Sequence, residues 1–250
     1  MKKIYFLICL INVVHVSAQA PVLVKDINIC TASSNPGKGI MMGGFYYFEA
    51  SDGVTGMELW KSDGTLAGTV LVKDINPGAG NSFLLNFVLM GTNIYFQAYD
   101  PTNGSELWKS DGTTSGTVLL KDINTGVANG NPNYLVSIGS NFFFSANDGI
   151  GGNELWKSDG TSSGTLMLKD INPGVSNSNP SNLVVMGTDF YFTSSDGVNG
   201  SELWKSDGTT SGTIMLKDIC IGSCNSSPSG FVVMGTTIYF NAGDISTGLE

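Results

Sequence analysis

Basic chemistry is scarce in this chain. It has no arginine: all 12 basic residues are lysines, and the single histidine is His15. Charged residues make up only 13% and the formal net charge is −9. Nucleic acid requires a clustered basic footprint to neutralise phosphates, so nucleic acid and anionic membranes are excluded as partners. Long apolar runs are also missing apart from Ile4–Val16, which is shorter than the roughly 20 residues a bilayer-spanning helix needs.

That one run reads as an export signal. Lys2 and Lys3 precede it, and Val16-Ser17-Ala18 supplies the small residues of a cleavage site,. We expect residues 1–18 to be a signal peptide cut after Ala18, leaving no membrane span in the mature chain and a secreted or cell-surface protein. Cleavage removes two lysines and no acids, taking the charge from −9 to −11. It also removes His15, so no Ser-His-Asp or Cys-His nucleophilic pair can form, and a zinc site loses its commonest nitrogen ligand.

Cysteine is sparse: Cys30, Cys220 and Cys224 remain after cleavage. In an oxidising compartment Cys220 and Cys224 are a candidate local disulfide. If the chain closed as a five-unit ring, Cys30 could reach Cys224 instead, provided that their Cα atoms lay within about 7 Å. The odd count leaves the partner of Cys30 open.

Glycine is abundant, at 33 residues, and its placement is periodic. Glu58-Leu59-Trp60 returns at Glu106-Leu107-Trp108, Glu154-Leu155-Trp156 and Glu202-Leu203-Trp204, each step being 48 residues without insertion or deletion. Gly43, Gly91, Gly139, Gly187 and Gly235 keep the same step, as do Phe48, Phe96, Phe144, Phe192 and Phe240. A fixed period of this length marks a repeat architecture.

Each unit reads as four short strands. In the second, Phe87–Met90 is broken by Gly91-Thr92, and glycine in the first central position suits a type II′ hairpin. Asn93–Tyr99 follows, then a turn over 100–104, a strand over Ser105–Ser110, the Asp111-Gly112 turn and a strand over Thr117–Ile123,. Ile94-Tyr95-Phe96 is apolar on both pleat faces, so the sheet is expected to be covered on both sides. The fold class that follows is all-β: a β-propeller of 48-residue, four-stranded antiparallel repeats. The linkers, such as Asn76–Phe83, are long enough to cross from the outer strand of one blade to the inner strand of the next. Residues 21–27 look like a fourth strand without its first three, able to complete the last blade. The array occupies 19–250, with four full units and a partial fifth from about 230. We read it as a fragment, with five units as a lower bound.

The octapeptide Glu-Leu-Trp-Lys-Ser-Asp-Gly-Thr, at Glu58–Thr65, Glu106–Thr113, Glu154–Thr161 and Glu202–Thr209, resembles the ELWxxDGT-repeat family. The resemblance covers nearly the whole mature chain. It implies a secreted bacterial protein, sometimes labelled hyalin-like, and it brings no established activity. Several members resemble substrates of a secretion system that reads a C-terminal sorting domain, and no such domain is present in this sequence.

A catalytic site occurs once, whereas a structural need recurs in every unit. Trp60, Trp108, Trp156 and Trp204 are therefore expected to pack between blades, each indole N–H finding one partner. Asp63, Asp111, Asp159 and Asp207 are expected to cap their turns, and the Asp74 series is taken as structural too. Asp52 and Glu58 bracket a short loop, as do Asp100 and Glu106; two carboxylates with loop carbonyls are a weak calcium candidate, the only cofactor considered. Asp52, Asp100, Asp148, Asp196 and Asp244 are expected on one face with the linkers 28–39, 76–83, 124–133, 172–181 and 220–230. These are rich in Asn and Ser with almost no charge, which suits hydrogen bonding to neutral polar ligands. The expectation is an exported, non-catalytic binding or adhesion module for an extracellular glycan or protein. A polysaccharide-active propeller hydrolase is one alternative, since that chemistry needs only two acids; a structural surface spacer is the other.

Overall fold

The structure, a computed structural model, describes residues 22–29 and 32–250. The proposed signal segment and Cys30 lie outside the described residues. Four consecutive four-stranded antiparallel sheets follow one another along the chain. The first holds β1 (Ile40–Met42), β2 (Phe45–Ser51), β3 (Met57–Ser62) and β4 (Val70–Lys73). The second holds β5 (Leu85–Met90), β6 (Asn93–Asp100), β7 (Gly104–Ser110) and β8 (Val118–Lys121). The third comprises β9 (Asn133–Ile138), β10 (Asn141–Asn147), β11 (Asn153–Ser158) and β12 (Leu166–Lys169). The fourth comprises β13 (Ser181–Met186), β14 (Asp189–Ser195), β15 (Ser201–Ser206) and β16 (Ile214–Lys217). The fifth unit contributes two pairs, β17 (Ser229–Met234) with β18 (Thr237–Asn241) and β19 (Gly243–Asp244) with β20 (Gly248–Leu249).

Within each full sheet the order is a plain meander, the arrangement that short turns between successive strands allow,. Gly91 takes φ +61°, the left-handed value that the tight β5–β6 turn requires,. The register repeats with the sequence. Phe48 lies opposite Trp60, Phe96 opposite Trp108, Phe144 opposite Trp156 and Phe192 opposite Trp204.

The second and third sheets are covered on both faces by neighbouring units. Leu59, Val72 and Ile75 of the first unit pack with Ile94, Phe96, Ala98 and Trp108 of the second. The same contact recurs between the second and third units through Leu107, Ile123, Phe142 and Trp156, and between the third and fourth through Leu155, Ile171, Phe190 and Trp204. Tyr95 is 3% exposed at such a junction, whereas Tyr239, at the same register in the last unit, is 57% exposed. Burying a large apolar side chain is worth about 1.5–3 kcal/mol, so the units hold one another up. Polar links reinforce the junctions: Lys61 Nζ donates to Gly112 O at 2.8 Å, and Thr114 Oγ1 to Val72 O at 2.8 Å.

Two expectations are corrected. Residues 22–27 form no strand, and Pro21 lies outside the described residues. Lys25 Nζ does donate to Thr69 O at 2.7 Å, as Lys169 Nζ does to Thr213 O at 2.6 Å, and Ile27 packs on Phe48, Ala50 and Trp60. The segment thus lies against the first unit as a fourth strand would, with no third strand beside it to complete a ladder. Nor does it pair with the fifth unit, so the described sheets form an open array and not a closed ring. The second correction concerns the tryptophans. All four are buried, at 5–7% exposure, but their indole N–H groups find no hydrogen-bond partner within the protein. Packing of the rings, and not a polar anchor, holds them.

Candidate ligand-binding face

The motif glutamates are the innermost polar groups of this face. Glu58, Glu106, Glu154 and Glu202 are all fully buried. Each accepts a backbone N–H from the start of the following linker: Ile75 at 2.6 Å, Ile123 at 2.7 Å, Ile171 at 2.7 Å and Ile219 at 2.7 Å. In three units the carboxylate also receives the far end of the linker. Gly130 N donates to Glu106 Oε1 at 2.5 Å; Ser178 N donates to Glu154 Oε1 at 2.8 Å and Ser226 N to Glu202 Oε1 at 3.0 Å. In those three units the glutamate therefore ties down both ends of one linker. Burial pushes the Glu58 and Glu106 carboxyls up to about 7, against the pull of their N–H donors, with Asp74 and Asp122 adding a smaller push,. Burial raises Glu154 as well.

The Asp52 series sits in the neighbouring turns. Asp52 Oδ1 accepts Val54 N and Thr55 N at 2.8 Å each; Asp100 Oδ1 accepts Thr102 N and Asn103 N. Asp148 caps Ile150 N and Gly151 N, and Asp196 caps Val198 N and Asn199 N. Asp244 takes Ser246 N and Thr247 N along with the Ser246 hydroxyl, and those donors hold its carboxyl down at about 2. Burial alone would raise Asp52 and Asp196, but their N–H donors hold both below the usual carboxylate range. These aspartates are turn caps whose Oδ1 atoms point into their own loops.

The calcium pairing does not fit this geometry. Asp52 and Asp100 face the N–H groups of their turns, while Glu58 and Glu106 face inward to Ile75 N and Ile123 N. A cation site needs converging oxygens, and the Oδ1 atoms of these aspartates and the Oε2 atoms of these glutamates point to separate sets of N–H donors,. Among the described residues no group of three or more His, Cys, Asp or Glu side chains is placed to hold a metal.

An asparagine seam, not singled out by sequence reasoning, joins the turns to the linkers. Asn81 Oδ1 accepts Met57 N at 2.9 Å; Asn129 accepts Ser105 N, Asn177 accepts Asn153 N and Asn225 accepts Ser201 N. The linkers then bond to the next unit: Ser82 O accepts Tyr99 N, Gly130 O accepts Asn147 N and Ser178 O accepts Ser195 N. In three linkers a second asparagine closes the loop, Asn76, Asn124 and Asn172 donating to Asn81 O, Asn129 O and Asn177 O. At that register the fourth linker carries Cys220, which is disulfide-bonded to Cys224 with Cα atoms 5.5 Å apart. A covalent staple thus stands where the other linkers use an amide. The signal for the seam, an Asn every 48 residues at 81, 129, 177 and 225, was in the sequence but hidden by the general abundance of Asn in the linkers.

The Asp63 series lies in the β3–β4 turn and its counterparts. Asp63 Oδ1 accepts Thr65 N at 2.9 Å and Thr65 Oγ1 at 2.7 Å, and Asp111, Asp159 and Asp207 repeat both bonds. The Thr65 hydroxyl and N–H hold the Asp63 carboxyl low.

Two clefts open where a linker enters the first strand of the next unit. One, of about 430 Å³ between the first and second units, is lined by Lys38, Glu49, Leu84, Leu85 and Phe87 among others. Its counterpart between the third and fourth units, of about 260 Å³, is lined by Asn131, Asn133, Tyr134, Ser145, Asn153 and Asn179, with Pro180 and Ser181. The equivalent positions differ from unit to unit. Leu85, Asn133 and Ser181 share one register; Asn86, Tyr134 and Asn182 share another.

No family model matches the chain, and no curated protein matches it. Among solved structures it is similar to puromycin hydrolase, with a TM-score of 0.55 and 13% identity over 86% of this chain and 35% of that one. It is also similar to oligopeptidase B from Leishmania major (TM-score 0.49, 9% identity, 85% of this chain and 29% of that one). A third is the computationally designed Ika8 protein (TM-score 0.47, 14% identity, 83% and 55%). The chain thus spans between about a third and about half of the length of these proteins. At such identities only the fold is shared: an all-β array of four-stranded antiparallel sheets with propeller-like architecture.

Proposed function

We propose that this chain is part of an exported, non-catalytic β-propeller of the ELWxxDGT-repeat kind, which binds an extracellular glycan or protein through the face formed by its linkers. One observation carries the reading. The framework positions repeat with a 48-residue step, while the two inter-unit clefts at the first and third junctions are lined by different residues. A spacer would have no reason to diversify just there, whereas a recognition surface on a rigid scaffold would.

The carboxylates argue against hydrolysis. General acid–base chemistry needs two acids open to substrate, but the motif glutamates face backbone N–H groups inside the linkers and the Asp52 series caps its own turns. The likeness to hydrolases extends to the fold alone and leaves that argument unchanged. The test is a combined glycan and extracellular-matrix protein array probed with the whole chain, alongside release of reducing ends from the same glycans. Reproducible binding without product release is expected. Turnover would establish the hydrolase, and silence on every probe would favour the spacer.

A further inference from the structure

We infer that the cleft between the third and fourth units binds a single neutral saccharide residue, with the Tyr134 ring as its platform and the Asn153 amide as its buried polar contact. This rests on the binding-module reading and assigns it a place and a ligand class. The chemistry of the lining comes first. Asn131, Asn133, Asn153 and Asn179 bring four amides to one cleft, together with Ser145 and no carboxylate or ammonium. An amide presents both donors and an acceptor, the complement of sugar hydroxyls, which both donate and accept. Glu154, the nearest motif acid in sequence, faces Ile171 N and Ser178 N.

Asn153 marks the polar end of the cleft. Its backbone is fully used: its N–H donates to Asn177 Oδ1 at 2.7 Å, and its carbonyl accepts Ser178 N and Asn179 N at 3.1 Å each. Its side-chain Oδ1 is buried and has no partner within the protein. A buried acceptor without a partner is unfavourable, so a turn of the Asn153 side chain that brings Oδ1 to the cleft, where a ligand hydroxyl supplies the missing donor, would be favoured on binding.

Tyr134 marks the apolar side. The residue is 40% exposed and its backbone sits at φ +56°, in the left-handed region where residues other than Gly, Asn and Asp are disfavoured. At the same register three other units use Asn86 at φ +58°, Asn182 at φ +56° and Gly230 at φ +66°, all tolerant of that region. At this register the third unit alone keeps an aromatic ring on a strained backbone, beside a set of amides. Strain of this kind persists at binding sites, where the side chain has a task that the tolerant residues cannot perform. An exposed aromatic face suits the C–H face of a pyranose, and its phenol end can hydrogen-bond.

Size and uniqueness narrow the ligand. At about 260 Å³ the cleft falls below the ~300–1,000 Å³ of pockets for drug-sized molecules,, which fits one sugar residue and not a buried oligomer. The counterpart cleft, with Lys38, Glu49 and Phe87, has a different chemistry, so a single site per chain is expected.

The whole chain would be titrated by ligand-observed NMR with the methyl glycosides of glucose, galactose, mannose and N-acetylglucosamine, and with glucuronic acid as an anionic probe. At least one neutral glycoside should bind, with affinity reduced tenfold or more by Tyr134→Ala and by Asn153→Ala, and unchanged by Leu85→Ala in the counterpart cleft. Tyr134→Gly guards against misfolding: glycine accepts φ +56°, so its unfolding temperature should equal or exceed that of the parent while binding is lost. Binding that survives Tyr134→Gly and Asn153→Ala overturns the cleft assignment and leaves the binding module standing. Failure of every neutral glycoside, or preference for glucuronic acid, overturns it too. Only silence on the glycan and protein array as well brings down the wider reading.

Discussion

Lowering the pH from 7.5 to 5 should make this protein harder to unfold, and the motif glutamates are the reason. Glu58 and Glu106 are fully buried, and burial moves their carboxyls from the ordinary 4.5 up to about 7. A raised folded-state value means that the folded chain keeps protons the unfolded chain has released. The contribution is fully present below about pH 4.5 and is lost as the pH rises through about 7,. A tenfold change in proton activity is worth about 1.4 kcal/mol for each proton that only the folded chain holds. The interval from pH 5 to 7.5 therefore removes about 2 kcal/mol of stability per glutamate. The opposite flank belongs to aspartates held low by their turns, including Asp52, Asp63, Asp111, Asp159, Asp196 and Asp207. Their contribution is present above the ordinary 3.8 and lost as the pH falls below it,. Stability should therefore peak between about pH 4.5 and 5.5, more acid than the common optimum of about pH 5–8. Urea titrations followed by the fluorescence of the four buried tryptophans would measure it. In a Glu58→Gln/Glu106→Gln protein the decline from pH 5 to 7.5 should flatten, even though overall stability drops because at position 106, where both oxygens accept linker N–H groups, an amide NH₂ would face a donor. A flat or rising profile in the parent would refute the reasoning. A decline that survives in the double variant would transfer the effect to Glu154, which burial also raises, or to the overall negative charge.

Three further outcomes follow from the packing and the turns. Phe83→Asn should raise the unfolding free energy by about 0.5–1 kcal/mol in urea titration, because Phe83 sits at φ +47° where Asn131 and Asn179 occupy the same register at φ +48° and +49°. Gly112→Ala should cost about 1–3 kcal/mol, since the position has φ +88° and a Cβ there would collide with Tyr47 Oη across the first junction; the Tm would report it. Reducing the Cys220–Cys224 disulfide should cost about 2 kcal/mol by loop-closure entropy. The Cys220→Asn/Cys224→Gly variant, which copies Asn76 and Gly80, should recover part of that loss by restoring the asparagine–carbonyl bond of the other linkers, seen as a Tm between those of the oxidised and reduced parent.

Periodicity made most of the scaffold legible before any coordinates. A strict 48-residue step with apolar residues on both pleat faces leaves few ways to bury Trp108 or Phe96 other than between stacked sheets, and the observed junctions do that. The turn caps were legible for the same kind of reason: Asp63 followed by Gly64 and Thr65 is a local device, its partners two residues away. The direction in which Glu58 points was not legible, because its partner Ile75 lies 17 residues on and is met only once the linker folds back. Proximity in sequence to Asp52 suggested a shared site, and the tertiary fold separates the two into different sets of N–H donors. Nor could spacing reveal that residues 22–27 lie beside the first unit without pairing, since a strand exists only when a neighbour offers it a ladder. The cleft of Tyr134 and Asn153 was likewise a matter for three dimensions. The residues are 19 apart along the chain and belong to different strands, and what joins them is the packing of one unit's edge against the next linker. Local chemistry and period belong to the sequence; which long-range donors and acceptors meet depends on where the packed sheets bring the backbone.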